Sequence, residues 1–84
     1  MRLQNKVAIV TGASLGIGSA IAKRFGREGA KVAVNYLKSE NSANDVVREI
    51  TSAGGTAKSF KADISKVPDI EQLTNEVLHE WGNI

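Results

Sequence analysis

One stretch constrains this chain more than any other. A short apolar, β-branched run over residues 6–11 meets a glycine and passes through Thr11, Gly12, Ala13, Ser14, Leu15, Gly16, Ile17 and Gly18 into a segment of helical periodicity. Val7, Ala8, Ile9 and Val10 do not alternate strictly with polar residues, which predicts a strand buried on both faces, as in a parallel sheet. A glycine turn between such a strand and a helix lets backbone N–H groups approach a phosphate closely and aims the positive end of the helix at it. In that arrangement Gly12 makes the sharp turn out of the strand, Gly16 gives the closest approach, and Gly18 lets the helix pack on the strand. The plainer reading is a tight turn that only joins two elements.

The rest of the chain favours the first reading by repeating the same unit. Over 16–28 the apolar positions Ile17, Ala20, Ile21, Ala22 and Phe25 recur at helical spacing, with Gly29 placed as a terminating glycine. A second strand is predicted over 31–36. A second helix follows over 40–53, with Ala43, Val46, Val47 and Ile50 on one face, and ends at Gly54-Gly55. A weaker strand over 56–61 leads through Asp63, Ile64 and Ser65 to a last helix whose apolar side carries Ile70, Leu73, Val77 and Trp81. Ser65 is the expected N-cap, Pro68 lies in the first turn, and Gly82 is the expected stop. Strands alternating with amphipathic helices over short connections predict an α/β fold with a parallel sheet. Right-handed crossovers place the first two helices on one face of it.

Composition removes several classes of chemistry. With 84 residues one layered domain, 1–84, is expected, and its core must be thin. Having no cysteine excludes disulfides, thiolate zinc sites and thiol nucleophiles, and fits a reducing cytoplasm, while a single histidine, His79, excludes a histidine-rich metal site. No apolar run is long enough for a signal h-region or a membrane span, so a cytoplasmic protein without membrane contact is expected. The net charge is +2, and the one basic cluster, Lys23, Arg24, Arg27 and Lys31, has no stacking aromatics beside it. It reads as a solvated helix face rather than a nucleic-acid surface. His79 is expected on the surface, Trp81 against the sheet, and Glu71, Glu76 and Glu80 on the polar side of the last helix.

The loop spacing, Gly-x-x-x-Gly-x-Gly, differs from the Gly-x-Gly-x-x-Gly fingerprint of common dinucleotide-binding folds, and no Gly-Lys-Ser/Thr follows as a P-loop requires. Residues 11–18 instead resemble the Thr-Gly-x-x-x-Gly-x-Gly motif of the classical short-chain dehydrogenases/reductases, and Asp63 matches the family's adenine-contacting aspartate. The phrases at 5–10 and 32–36 are similar to those of 3-oxoacyl-carrier-protein reductases and bacterial glucose 1-dehydrogenases. The resemblance covers the whole chain but only about the first third of a family member. It implies the N-terminal half of a Rossmann doubly wound parallel sheet, β-α-β-α-β-α, cut before a fourth strand, with the first strand left as an open edge.

The implied cofactor is a nicotinamide dinucleotide, held by Gly12, Ser14, Leu15, Gly16, Ile17, Gly18, Asn35, Tyr36, Lys38, Asp63 and Ile64. In many dinucleotide folds an acidic residue ending the second strand accepts from the ribose 2′-hydroxyl of NAD. Here that stretch is Asn35, Tyr36, Leu37 and Lys38. The lack of a carboxylate, with Lys38 and the Ser39 hydroxyl nearby, favours NADP. Leu15 argues the other way, because NADP-preferring members often carry Arg or Lys there, and NAD or dual specificity stays open. Asp63 is read as an acceptor for the adenine amino group, with Ile64 beside the ring; the competing reading is an Asx turn closing the strand-to-helix connection.

The family's chemistry is hydride transfer between nicotinamide and a carbonyl or alcohol, through a serine and a Tyr-x-x-x-Lys pair. Tyr36 is the only tyrosine and Glu40 stands four residues on, so this sequence contains no such motif. The expectation is therefore a cofactor-binding piece of an NAD(P)-dependent oxidoreductase, inactive by itself, whose full-length form acts on a small carbonyl or alcohol substrate as a homotetramer. The alternative is a free-standing, non-catalytic nucleotide-binding or regulatory module.

Overall fold

The computed structural model describes residues 5–12 and 16–82. Three strands and three helices alternate: β1 (Val7–Val10), α1 (Gly16–Arg27), β2 (Lys31–Tyr36), α2 (Glu40–Ser52), β3 (Thr56–Lys61) and α3 (Val67–Trp81). The strands form one parallel sheet in the order β1-β2-β3, with Val7 opposite Lys31 and Lys31 opposite Thr56. Each boundary lies within a residue or so of the expected one. The first strand is the most shortened, because pairing ends at Val10 before the chain turns at Gly12.

The side-chain alternation of β2 divides the core in two. Val32 and Val34 point to one face, where they meet Val10, Ala22, Ala43, Val46 and Ile50 from β1, α1 and α2. Ala33 points to the other and joins Phe60, Ala62, Leu73 and Val77, with Val7, Ile9 and Trp81 packed around them. Thus α1 and α2, the two crossover helices, share one face as right-handed crossovers require, and α3 covers the other. The central strand is the least exposed part of the sheet: Val32, Ala33 and Val34 are each 0% exposed. Trp81 packs edge-to-face on Phe60, with ring centroids 6.1 Å apart, so its place against the sheet is as expected.

Close approach of α1 to α2 depends on a glycine that periodicity does not single out. A Cβ at Gly26 would lie 2.7 Å from Cγ2 of Ile50, well inside van der Waals contact. Ile50 is 4% exposed and anchors the same core cluster, so the two helices meet where one side chain is missing and another is large.

One expected cap is corrected. The N-cap of α3 is Lys66, in extended conformation and without a side-chain cap hydrogen bond, rather than Ser65. The Ser65 hydroxyl donates to Asp63 Oδ1 at 2.6 Å and is committed to the preceding turn. Gly82 does end the helix, in the left-handed conformation, with its N–H donating to Leu78 O.

Surface charges behave as the sequence suggests. Lys23 pairs with Glu49 and Arg24 with Glu28, so at least two members of the basic cluster are neutralised locally. His79, Glu71, Glu76 and Glu80 are exposed, and Glu80 pairs with Lys58. Among the described residues no helix is long and apolar enough to cross a membrane.

Candidate functional site

In a parallel sheet every strand leads into its helix at the same edge, so residues far apart in sequence gather at the strands' C-terminal ends. Here that edge holds a cavity of about 320 Å³ lined by Gly12 after β1, Asn35 to Ser39 after β2, and Ala62, Asp63 and Ile64 after β3. Six of the eleven expected positions, Gly12, Asn35, Tyr36, Lys38, Asp63 and Ile64, thus line one concavity. Leu37 and Ala62 line it too; they carry no polar group, and no sequence signal distinguishes them from ordinary connection residues. A larger groove, about 1060 Å³ between β3 and α3, is lined mainly by exposed polar and charged side chains and contains none of the expected residues.

The floor of the cavity is built around Gly12. Its φ of 64° lies in the left-handed region, where a side chain is strained, and a Cβ there would meet nothing within 4 Å. Gly16 opens α1 at φ 51°, and Gly18 sits half-buried in the first turn. Ser14, Leu15 and the side chain of Ile17 lie outside the described residues.

At the end of β2, neighbouring residues do different things because they face opposite sides of the sheet. Asn35 follows Ala33 onto the α3 side, is 3% exposed, and donates from Nδ2 to the carbonyls of Ala62 at 3.2 Å and Phe60 at 3.4 Å. Its amide nitrogen is therefore committed to tying β2 to the end of β3. Tyr36 lies on the α1–α2 side, half-buried against the core, and its Oη donates to Glu40 Oε2 at 2.8 Å. The bond to Glu40 and its negative charge, with partial desolvation, holds the Tyr36 hydroxyl above the usual phenol range. Glu40, in the first turn of α2, escapes a reading confined to residues 35–38; its spacing of four from Tyr36 was the available signal. Lys38 is exposed and makes no ion pair among the described residues, and Ser39, the N-cap of α2, makes no side-chain cap bond.

At the end of β3 the connection is closed by its own hydrogen bonds. Asp63 Oδ1 accepts from Ser65 N at 3.0 Å and from Ser65 Oγ, the geometry of an Asx turn. These bonds lower the Asp63 pKa below the usual carboxylate value, with a smaller contribution from the Lys66 charge. Asp69, from the first turn of α3, reaches back with Oδ2 to the Asp63 N–H at 2.9 Å. The turn reading of Asp63 thus holds, and Oδ2 of the same carboxylate has no partner among the described residues. Ile64 is 45% exposed beside it and presents an apolar edge to the cavity.

Taken together, the edge presents a glycine floor, an apolar wall, a carboxylate acceptor on the β3 side and a lysine on the β2 side. That set suits the flat, amphiphilic shape of an adenosine carrying anionic groups.

The short chain dehydrogenase family profile matches residues 6–84. A short-chain dehydrogenase/reductase of Pestalotiopsis microspora is 48% identical over 83 residues, covering 99% of this chain and 31% of that protein. A hydroxynaphthalene reductase-like protein of Metarhizium guizhouense is 46% identical over 82 residues, covering 98% of this chain and 31% of that protein. Among solved structures, a short chain dehydrogenase of Burkholderia cenocepacia in complex with NADP superposes with a TM-score of 0.92 at 41% identity, covering 98% of this chain and 34% of that one. A metagenomic short-chain oxidoreductase, also in complex with NADP, gives a TM-score of 0.90 at 40% identity over 98% of this chain and 37% of that one. The chain spans about a third of the length of the relatives it matches.

Proposed function

Since the chain belongs to the short-chain dehydrogenase family, we propose that its cavity is the adenosine end of a nicotinamide dinucleotide site, serving an oxidoreductase that interconverts carbonyl and alcohol groups. The observation that carries this reading is the gathering of Gly12, Tyr36, Lys38, Asp63 and Ile64 around one concavity at the C-terminal edge of a parallel sheet. The glycine turn and the N-terminus of α1 supply backbone N–H donors for the pyrophosphate. The adenine ring lies along Ile64, with the remaining Asp63 oxygen accepting from its exocyclic amine. Ser14, Leu15, Gly16, Ile17 and Gly18 complete the pyrophosphate side.

For the choice between cofactors, the reading favours NADP. Lys38 lines the cavity without a counter-ion among the described residues, and it attracts a 2′-phosphate. NADP in two family members of known structure supports the same choice. When bound, the nicotinamide supplies a hydride acceptor or donor. The residues of this chain anchor the other end of the molecule and fix its orientation.

Isothermal titration of the chain with NADPH, and with adenosine 2′,5′-bisphosphate as a probe of the adenosine end alone, tests the proposal. Saturable binding of both, lost in Gly12→Val, is the expected result. No binding of either, or binding indifferent to the Gly12 substitution, overturns it.

A further inference from the structure

Resting on the nucleotide reading above, we propose that Glu40, held by Tyr36, sets how strongly this site discriminates a ribose 2′-phosphate from a 2′-hydroxyl. Position 36 ends the second strand, where dinucleotide folds that select NAD place a carboxylate against the ribose. A phenol cannot supply that charge. Its hydroxyl nevertheless donates to Glu40 Oε2 at 2.8 Å, so a carboxylate reaches the same strand end from the first turn of the next helix.

Three features keep the charge there. The Tyr36 hydroxyl donates to one Glu40 oxygen and holds the carboxylate beside the strand end. Glu40 lies in the first turn of α2, where the positive end of the helix favours an anion. No lysine or arginine pairs with it among the described residues, so its charge is not cancelled. Lys38, two residues earlier in the same connection, lines the cavity and also has no ion pair among the described residues. The opening thus carries one exposed cation, Lys38, and is linked through the Tyr36 that lines it to the anion of Glu40, while the carboxylate that lines the cavity itself, Asp63, stands at the end of β3 with Oδ1 committed to Ser65.

The two charges act in opposite directions on a ribose substituent. A 2′-phosphate is drawn by Lys38 and repelled by Glu40. A 2′-hydroxyl donates to the second Glu40 oxygen and gains little from Lys38. Glu40 therefore keeps the preference for NADP small, and the site accepts both cofactors.

The test compares binding of 5′-AMP and adenosine 2′,5′-bisphosphate to the wild-type chain, Glu40→Gln, Tyr36→Phe and the double variant. Glu40→Gln keeps the side-chain shape and removes the charge. It is expected to raise affinity for the bisphosphate about fivefold, the order expected when a like charge is removed near a solvent-exposed site, and to weaken 5′-AMP slightly, because the amide oxygen accepts from the 2′-hydroxyl less strongly than a carboxylate. Tyr36→Phe frees the carboxylate and shifts the ratio the same way by less, and the double variant matches Glu40→Gln because the two residues act as one unit. A ratio unchanged or lowered in Glu40→Gln overturns the role of Glu40 while leaving the nucleotide site standing. If neither nucleotide binds the wild-type chain, both proposals fall.

Discussion

The two strand-to-helix connections at the mouth of the cavity are built on opposite plans. The one after β3 closes on itself: Asp63 accepts from Ser65, Asp69 accepts from the Asp63 N–H, and the Lys66 N–H donates to Asp63 O. The one after β2 is open. Ser39 caps α2 without a side-chain bond and Lys38 has no ion pair among the described residues; a side-chain hydrogen bond from Tyr36 to Glu40 links the strand to the helix across the connection. A connection whose polar groups satisfy one another holds a fixed shape and offers a ligand mainly that shape. One that leaves polar groups over offers charge. The β3 side is thus suited to position a ring and the β2 side to decide what the ring carries.

Between the two connections stands Asn35, and replacing it carries the largest expected effect. In Asn35→Asp an ionised carboxylate faces the carbonyls of Ala62 and Phe60, three acceptors with no donor among them, in a site only 3% exposed. The variant is expected to lose about 3 kcal/mol of unfolding free energy at neutral pH, read from urea midpoints at constant m-value. The pH dependence has a distinctive sign. A protonated carboxyl can donate to one carbonyl, so the folded pKa of this aspartate is raised. Its stability contribution is present below the unfolded pKa and is lost as pH rises through the folded value. The deficit relative to wild type should therefore shrink between about pH 8 and about pH 5. A deficit that is absent, or that grows on acidification, would mean that the Asn35 amide does not join the strand ends.

Asn35 also marks where the sequence could be read and where it could not. The order of elements follows from periodicity alone, and the two-sided burial of β2 from its unbroken apolar run. A polar residue ending such a run looks like a ligand contact. Strand alternation places Asn35 with Ala33 and Tyr36 with Val34, so the two had to face opposite sides; both line the cavity at the strand end, and that the Asn35 amide is spent on the carbonyls of Phe60 and Ala62 depends on how β3 pairs beside it. The Tyr36–Glu40 bond needed a rotamer as well as a spacing. Ser65 illustrates a competition between neighbours: a hydroxyl that could cap α3 is taken by a carboxylate two residues earlier. Close contact at Gly26 was illegible for a related reason, since its partner Ile50 lies on another helix.

Asp69→Ala separates the two connections more directly. It removes the acceptor for the Asp63 N–H, and losing a bond to a charged group is expected to cost about 1.5 kcal/mol. Since this bond holds the β3 connection, affinity for 5′-AMP and for adenosine 2′,5′-bisphosphate should fall by the same factor. Lys38→Ala should leave stability unchanged and weaken only the bisphosphate. If Asp69→Ala changes the ratio of the two affinities, or Lys38→Ala does not, the division between positioning and selecting sides fails.

The smallest expected effects are changes in two titrations, and they read each connection without a ligand. Ser65→Ala removes the largest cause of the lowered Asp63 pKa, so the Asp63 carboxyl should titrate closer to its ordinary value, followed by NMR of its side-chain carbon. The native depressed pKa contributes stability that is present above the unfolded value and lost as pH falls through the folded one; Ser65→Ala should weaken this acid sensitivity. On the other side the sign reverses. Tyr36 is raised chiefly by its bond to Glu40 and is the only tyrosine, so tyrosinate absorbance reports it alone. In Glu40→Gln its titration should move down toward the ordinary phenol value, because a neutral amide neither repels the phenolate nor accepts as strongly from the hydroxyl. A Tyr36 titration indifferent to Glu40→Gln would show that the carboxylate spends its time in solvent, and the open connection would then present Lys38 without an opposing charge.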